Sequence, residues 1–172
     1  MRIDWDLSGR HTLDEVTWPK DRLDSYTTSL EPLESVSIRL PAGEVLRMPD
    51  RAKRVILYRR SQGPELVPGP EGRILDKVEV YSKPMTVEDA YRRALAYADQ
   101  FDLPRVPLEA WRERRDQNVD PDTDRTGTGA ANARRLGGKG GPIPFVELNA
   151  SSNDERPWIP SVQLYWPPPR EG

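Results

Sequence analysis

The alternation of apolar and polar residues that is typical of a strand changes to the spacing of an amphipathic helix within residues 77–101, KVEVYSKPMTVEDAYRRALAYADQF. The two valines within 77–81 alternate with polar neighbours, which is typical of a strand with one buried face. Thr86 is a favoured helix-capping residue, and Asp89 stands at the third position of a capping box. Beyond the cap, apolar residues share one helical stripe: Val87, Ala90, Tyr91, Ala94, Ala98 and Phe101. The stretch therefore predicts a strand and then an amphipathic helix that ends before Pro104.

Similar strand patterns occur on both sides of this stretch. The period-two alternation recurs in residues 2–7, 35–40 and 161–166, and weaker apolar runs occupy 45–48, 55–58 and 145–148. The run at 55–58 is continuously apolar, which is typical of a central strand covered on both faces. The turn-rich segment 62–72 then predicts a hairpin between this run and the strand near residue 79.

A second, shorter helix is predicted after the first. Pro107 is a good first-turn residue, and Leu108 and Trp111 follow on one face as far as about Arg115. The fold class is therefore predicted to be α+β. We expect a single, mainly antiparallel sheet of about five to seven strands, with one long and one short helix on one face and a mobile insert.

The chain is expected to form one domain with an interruption. Its 172 residues fall within the size of a single domain. Residues 1–116 are predicted to be the main α+β part. Residues 117–141 offer few large aliphatic side chains, and we expect them to be a flexible, polar and glycine-rich insert or linker. Residues 142–172 are expected to add strands that complete the same domain, followed by a proline-rich tail.

The composition excludes several kinds of chemistry. The chain has no cysteine, which excludes a thiolate nucleophile, a disulfide framework and a cysteine-based metal site. It has one histidine, His11, so no site with two histidine ligands exists. The net charge of −2 gives no overall attraction to nucleic acid or anionic lipid. We expect no cofactor, no metal, no catalytic residue, no nucleic-acid partner and no membrane association. The expected location is the cytoplasm, or outside the cell only if a leader was removed.

Three motif-like stretches fall short of a functional signature. Asp120, Asp122 and Asp124 have the spacing of a calcium loop, but the turn glycine and the final glutamate of that loop are missing. The glycines around Lys139 do not fit a phosphate-binding loop. Asp4 and Asp6 share one strand face, which we expect to be solvated rather than an acid/base pair. His11 has no nucleophile motif to serve and is expected to lie on the surface.

Tryptophan is the most unusual part of the composition, with five residues in a small chain. Trp18 and Trp158 lie in polar, proline-bearing segments outside any apolar period. Exposed tryptophans are common anchors of recognition surfaces, whereas capping the edge of a small core is the ordinary alternative. We therefore predict a binding patch that contains Trp18, Trp158 and Arg156.

These features favour a non-catalytic module that binds another protein, with an inhibitor of the immunity or antitoxin kind as one example. Two alternatives stay open. The first is a carbohydrate- or peptide-binding module that uses exposed tryptophans. The second is a hydrolase based on carboxylates, which requires a pocket holding two close acids. The oligomeric state and the identity of the partner do not follow from the sequence.

Overall fold

The computed structural model describes part of the chain. It covers residues 2–6, 27–30, 35–39, 45–47, 54–59, 75–117, 126–132, 134–136, 141–152 and 155–166. The strands are β1 (Arg2–Asp6), β2 (Thr27–Leu30), β3 (Ser35–Arg39), β4 (Val45–Arg47), β5 (Arg54–Arg59), β6 (Leu75–Tyr81), β7 (Thr128–Ala131), β8 (Ile143–Ala150) and β9 (Trp158–Tyr165). The helices are α1 (Val87–Gln100) and α2 (Val106–Gln117).

The described residues form two helices and an open antiparallel sheet, which fits the α+β class that the sequence predicts. Across this sheet the strand order is β2-β5-β6-β9-β8-β7. The expectation of a single sheet is wrong, because β1, β3 and β4 pair with one another in a separate sheet, in which β1 runs parallel to β3. Alternation predicts that one face of a strand is buried, but it carries no information about which strand lies beside it.

The described core lies between the helices and one face of the antiparallel sheet. Helix α1 packs on β8 and β9, and α2 packs on β7. Strands β6, β7, β8 and β9 contribute alternate residues on the face toward the helices, and all of these residues are buried: Val78, Val80, Ala130, Val146, Leu148, Val162 and Leu164. Helix α1 meets them with Ala90, Ala94 and Ala98, which are fully buried. Small side chains along this stripe let the helix backbone approach the sheet closely.

Helix α1 begins as the sequence predicts. Thr86 is the N-cap, with extended backbone angles, and its hydroxyl accepts a hydrogen bond from the Asp89 amide at 3.2 Å. This bond satisfies one of the amides that an isolated helix start leaves without a partner. Helix α2 is also present, although it starts at Val106 and extends to Gln117, beyond the predicted end.

The end of α1 has the two crossed hydrogen bonds of a Schellman motif. The Leu103 amide donates to the Ala98 carbonyl at 2.8 Å, and the Asp102 amide donates to the Asp99 carbonyl at 3.3 Å. Asp102 has a φ of 53°, where glycine is usual. Two short hydrogen bonds from Arg105 to the Asp99 carboxylate brace the turn into α2 and raise the pKa of Arg105.

Strand β7 lies within residues 117–141, which the sequence predicts to be a flexible insert, so part of this stretch belongs to the sheet. Its residues pair with β8, and Ala130 is buried under α2. The Trp111 indole nitrogen donates to the Thr126 carbonyl at 3.1 Å and fixes the approach to the strand. A Cβ on Gly127 would lie 2.3 Å from the Leu148 carbonyl oxygen, so only glycine fits this close approach. The sequence hardly indicates a strand here, because the residues of β7 are small and the strand is held by backbone hydrogen bonds to β8.

Candidate functional site

A groove of about 580 Å³ lies beside the N-terminal half of α1. The described residues that line it come from the segment before the helix, from the helix itself and from the connection between β8 and β9. They are Lys83, Pro84, Met85, Thr86, Asp89, Arg92, Arg93, Ala96 and Arg156. Four of these side chains are cationic and one is anionic, so the groove is a locally basic surface on a chain of net charge −2.

One stripe of α1 forms a wall of the groove. Asp89, Arg92, Arg93 and Ala96 follow the spacing i, i+3, i+4 and i+7, which places them on one helix face. The buried alanines face the sheet on a different side, so the wall is free to carry charge. Ala96 has only a methyl group, and this leaves room between the arginines and the segment opposite.

The segment before the helix is held by backbone hydrogen bonds to β9. The Met85 amide donates to the Trp158 carbonyl at 2.7 Å, and the Trp158 amide donates back at 3.2 Å. The Ser82 amide adds a bond of 2.9 Å to the Pro160 carbonyl. These bonds tie residues 82–85, of which 83–85 line one side of the groove, to a core strand. Pro84 and Met85 give it an apolar part.

The charges in the groove are partly paired. The Arg92 guanidinium contacts the Asp89 carboxylate at 2.7 Å and Glu88 at 3.6 Å. Glu88 also contacts Arg112 of α2 at 3.3 Å, and Arg112 reaches Asp116 at the same distance. Apart from Arg112, which is 29% exposed, these side chains are largely exposed, so water and salt screen the pairs. Even with Asp89 counted, the described lining carries a clear excess of positive charge.

Of the three residues predicted to bind, the structure places Arg156 in the groove. Trp18 lies outside the described residues. The expectation of an exposed aromatic is wrong for Trp158, whose side chain is only 1% exposed. The structure therefore brings one of the three to the candidate site and assigns another to the core.

Trp158 is buried because it belongs to an aromatic stack that closes the core beneath α2. Its ring meets Trp111 edge to face, with 5.0 Å between ring centroids. The buried guanidinium of Arg115 lies 4.1 Å from the Trp158 ring centroid and 4.9 Å from that of Trp111. Electron-rich ring faces on two sides stabilise this desolvated cation. The sequence could not show this partner, since Arg115 is distant in the chain and lies in a charged run.

The other three cations of the groove, Lys83, Arg92 and Arg93, were not predicted from the sequence. Arginines on the polar face of an amphipathic helix normally indicate only a solvated surface. The sequence offered one indication of a groove, because the helical spacing puts Arg92 and Arg93 on the same face as Ala96, a small residue on an otherwise charged surface. Their convergence with Lys83 and Arg156 depends on contacts between distant segments.

Two close carboxylates do occur, on the sheet face opposite the helices. The Gln163 side-chain amide donates to Glu79 at 2.9 Å and to Glu147 at 2.6 Å. Glu79 is buried and has Lys77 at 3.6 Å. In each strand these residues occupy the positions that alternate with the buried valines, so the sequence alternation could have placed them together on the opposite face of the sheet. Neither acid is among the described residues of the groove, so the groove and the acid pair are separate features.

The other candidates from the sequence cannot be placed. His11, the aspartates at 120–124 and the region of Lys139 lie outside the described residues, and the side chains of Asp4 and Asp6 are also not described. Within the described part of the chain, no cluster of three or more acidic or histidine side chains has the arrangement of a metal site. No helix in that part is both long and apolar enough to cross a membrane.

No family model, curated protein or solved structure matches this chain. The case for a function therefore rests on the geometry and the charge of the groove.

Proposed function

We propose that this protein is a non-catalytic binding module whose basic groove receives an acidic segment of a partner protein. The observation that carries the proposal is the convergence of Lys83, Arg92, Arg93 and Arg156 around a groove of about 580 Å³. Arginine guanidinium groups bind carboxylates through paired hydrogen bonds, which gives both attraction and orientation.

The apolar part of the groove favours a protein over a nucleic acid as the partner. Pro84, Met85 and Ala96 offer a surface for aliphatic carbons, and methionine adapts to side chains of different shape. No aromatic residue is among the described lining, whereas single-stranded nucleic acids are usually held by stacking on aromatic rings. An acidic peptide with interspersed apolar side chains matches both properties of the groove.

A labelled acidic peptide tests the proposal directly. We expect a fluorescein-labelled oligoglutamate peptide to bind the wild-type protein in an anisotropy titration at low ionic strength. Arg93→Ala and Arg156→Ala should each weaken binding by up to about 1 kcal/mol, or about fivefold, the upper end for exposed charge pairs. Raising the salt concentration should weaken binding further.

The matched control is Arg134→Ala. Arg134 is another exposed arginine, paired with Asp102 at 3.1 Å, and it is not among the lining residues. Its removal changes the net charge equally and should weaken binding by less than half as much as Arg93→Ala. Equal effects of the two substitutions, or no binding by the wild type, would overturn the proposal. A DNA duplex that bound the groove more tightly than the peptide would refute a protein partner.

A further inference from the structure

The groove already contains one carboxylate of its own, fixed in position. One oxygen of Asp89, Oδ1, accepts a hydrogen bond from Arg92 Nη2 at 2.7 Å. The other, Oδ2, accepts from the Thr86 hydroxyl at 3.1 Å, and the Asp89 amide donates to the same hydroxyl at 3.2 Å. Two bonds thus hold the carboxylate, one from Arg92 and one from the Thr86 hydroxyl, and the contact with Arg92 is of the kind that a partner carboxylate would make.

We propose that Asp89 is a built-in competitor that sets the affinity and selectivity of the groove for acidic segments. This inference rests on the proposed function. A partner carboxylate must displace Asp89 from Arg92 or leave that arginine engaged and approach the other cations of the lining, of which Arg93 and Arg156 also have contacts within the protein. A segment with several carboxylates can do this because its other acids reach Lys83, Arg93 and Arg156. A ligand with a single carboxylate gains too little, so the groove selects for clustered negative charge.

Glu88 provides a matched control for Asp89. Both acids lie in the first turn of α1, where the helix dipole favours negative charge, and their side chains are similarly exposed. Glu88 also pairs with Arg92, but at 3.6 Å, and it is not among the lining residues. Neutralising either acid changes the net charge by the same amount. A general electrostatic effect predicts equal responses, whereas competition inside the groove predicts a larger response for Asp89.

The experiment compares Asp89→Asn and Glu88→Gln in titrations of the oligoglutamate peptide. We expect Asp89→Asn to raise the affinity about threefold, within the range for an exposed ion pair, and Glu88→Gln by less than about 1.5-fold. The affinity for free glutamate should rise by a larger factor on Asp89→Asn than the affinity for the peptide, because free glutamate has few charges with which to contact the rest of the groove. Thermal unfolding followed by circular dichroism checks that both variants are folded. The single substitutions Asp89→Ala and Glu88→Ala provide a second, independent comparison of the two positions.

The outcomes separate this inference from the proposed function. If the wild type binds the peptide and the two substitutions act equally, or Asp89→Asn does not raise the affinity, the role of Asp89 is refuted and the groove remains. If the wild type does not bind the peptide, the proposed function fails, and the inference fails with it. A larger gain for Asp89→Asn than for Glu88→Gln supports the competitor role.

Discussion

Replacing Trp158 by alanine should remove a large part of the stability of the domain without affecting the groove directly. The side chain is 1% exposed, and a buried tryptophan removes about 150–250 Å² from water. At about 25 cal/mol per Å², this burial is worth about 4–6 kcal/mol, which is an upper value because unfolded chains are partly compact. The substitution also removes the edge-to-face contact with Trp111 and one of the rings beside Arg115. We expect a loss of about 4 kcal/mol, within the range seen for buried aromatics.

Urea unfolding followed by far-ultraviolet circular dichroism measures this loss. If the dependence of the unfolding free energy on urea concentration is unchanged, the substitution has altered stability alone. Trp158→Phe should lose only about 1–2 kcal/mol because it keeps one ring in the stack, and it remains measurable if the alanine variant unfolds. The backbone bonds between Met85 and residue 158 survive both changes, so peptide affinity per folded molecule should stay constant. A stability loss below about 1 kcal/mol for Trp158→Ala, or weaker peptide binding by folded Trp158→Phe, would refute this reasoning.

Three further substitutions test the fold. Asp102→Gly should stabilise the protein by about 0.5–1 kcal/mol, because glycine adopts a φ of 53° without strain and the ion pair lost with Arg134 is exposed. A lower melting temperature in thermal unfolding would contradict this. Gly127→Ala should be clearly destabilising because its Cβ would lie 2.3 Å from a backbone oxygen, whereas at Gly129 the closest approach is 3.1 Å and the loss should be smaller; the reverse order in urea unfolding would show that β7 is placed wrongly. Ala94→Asp should lower stability by more than about 3 kcal/mol because it buries an unpaired charge, and a folded, stable variant would mean that the faces of α1 are misassigned.

The parts of the fold that follow from local pattern could be predicted from the sequence. The Thr86 cap and the apolar stripe of α1 depend on residues a few positions apart, and the structure contains both. Strand β6 is also present, but Glu79 on its other face is buried as well, so the prediction of a single buried face is wrong for this strand. Strand β7 could not be predicted in this way. Its residues Thr128–Ala131 have little apolar surface, and they are ordered by pairing with β8 and by cover from α2.

The candidate site was harder to predict than the fold, for the same physical reason. Trp158 lies between two prolines in a polar stretch, and its local surroundings suggest exposure. Its burial depends on Trp111 and Arg115, which come from another element. Arg156, two residues earlier, does line the groove. Neighbouring residues of one segment therefore have opposite environments, and only the packing of distant elements decides between them.

The position of the groove on this chain has a consequence for how an acidic partner would approach it. The whole chain has a net charge of −2, while the described lining has four cations and one acid, so the remainder of the protein is net negative. On average an acidic segment is repelled by that remainder, and it is attracted near Lys83, Arg93 and Arg156. Such a field orients the partner before contact, and its effect falls mainly on the association rate. Salt should therefore slow association with the oligoglutamate peptide more than it speeds dissociation, because screening weakens long-range attraction more than the short contacts inside the groove.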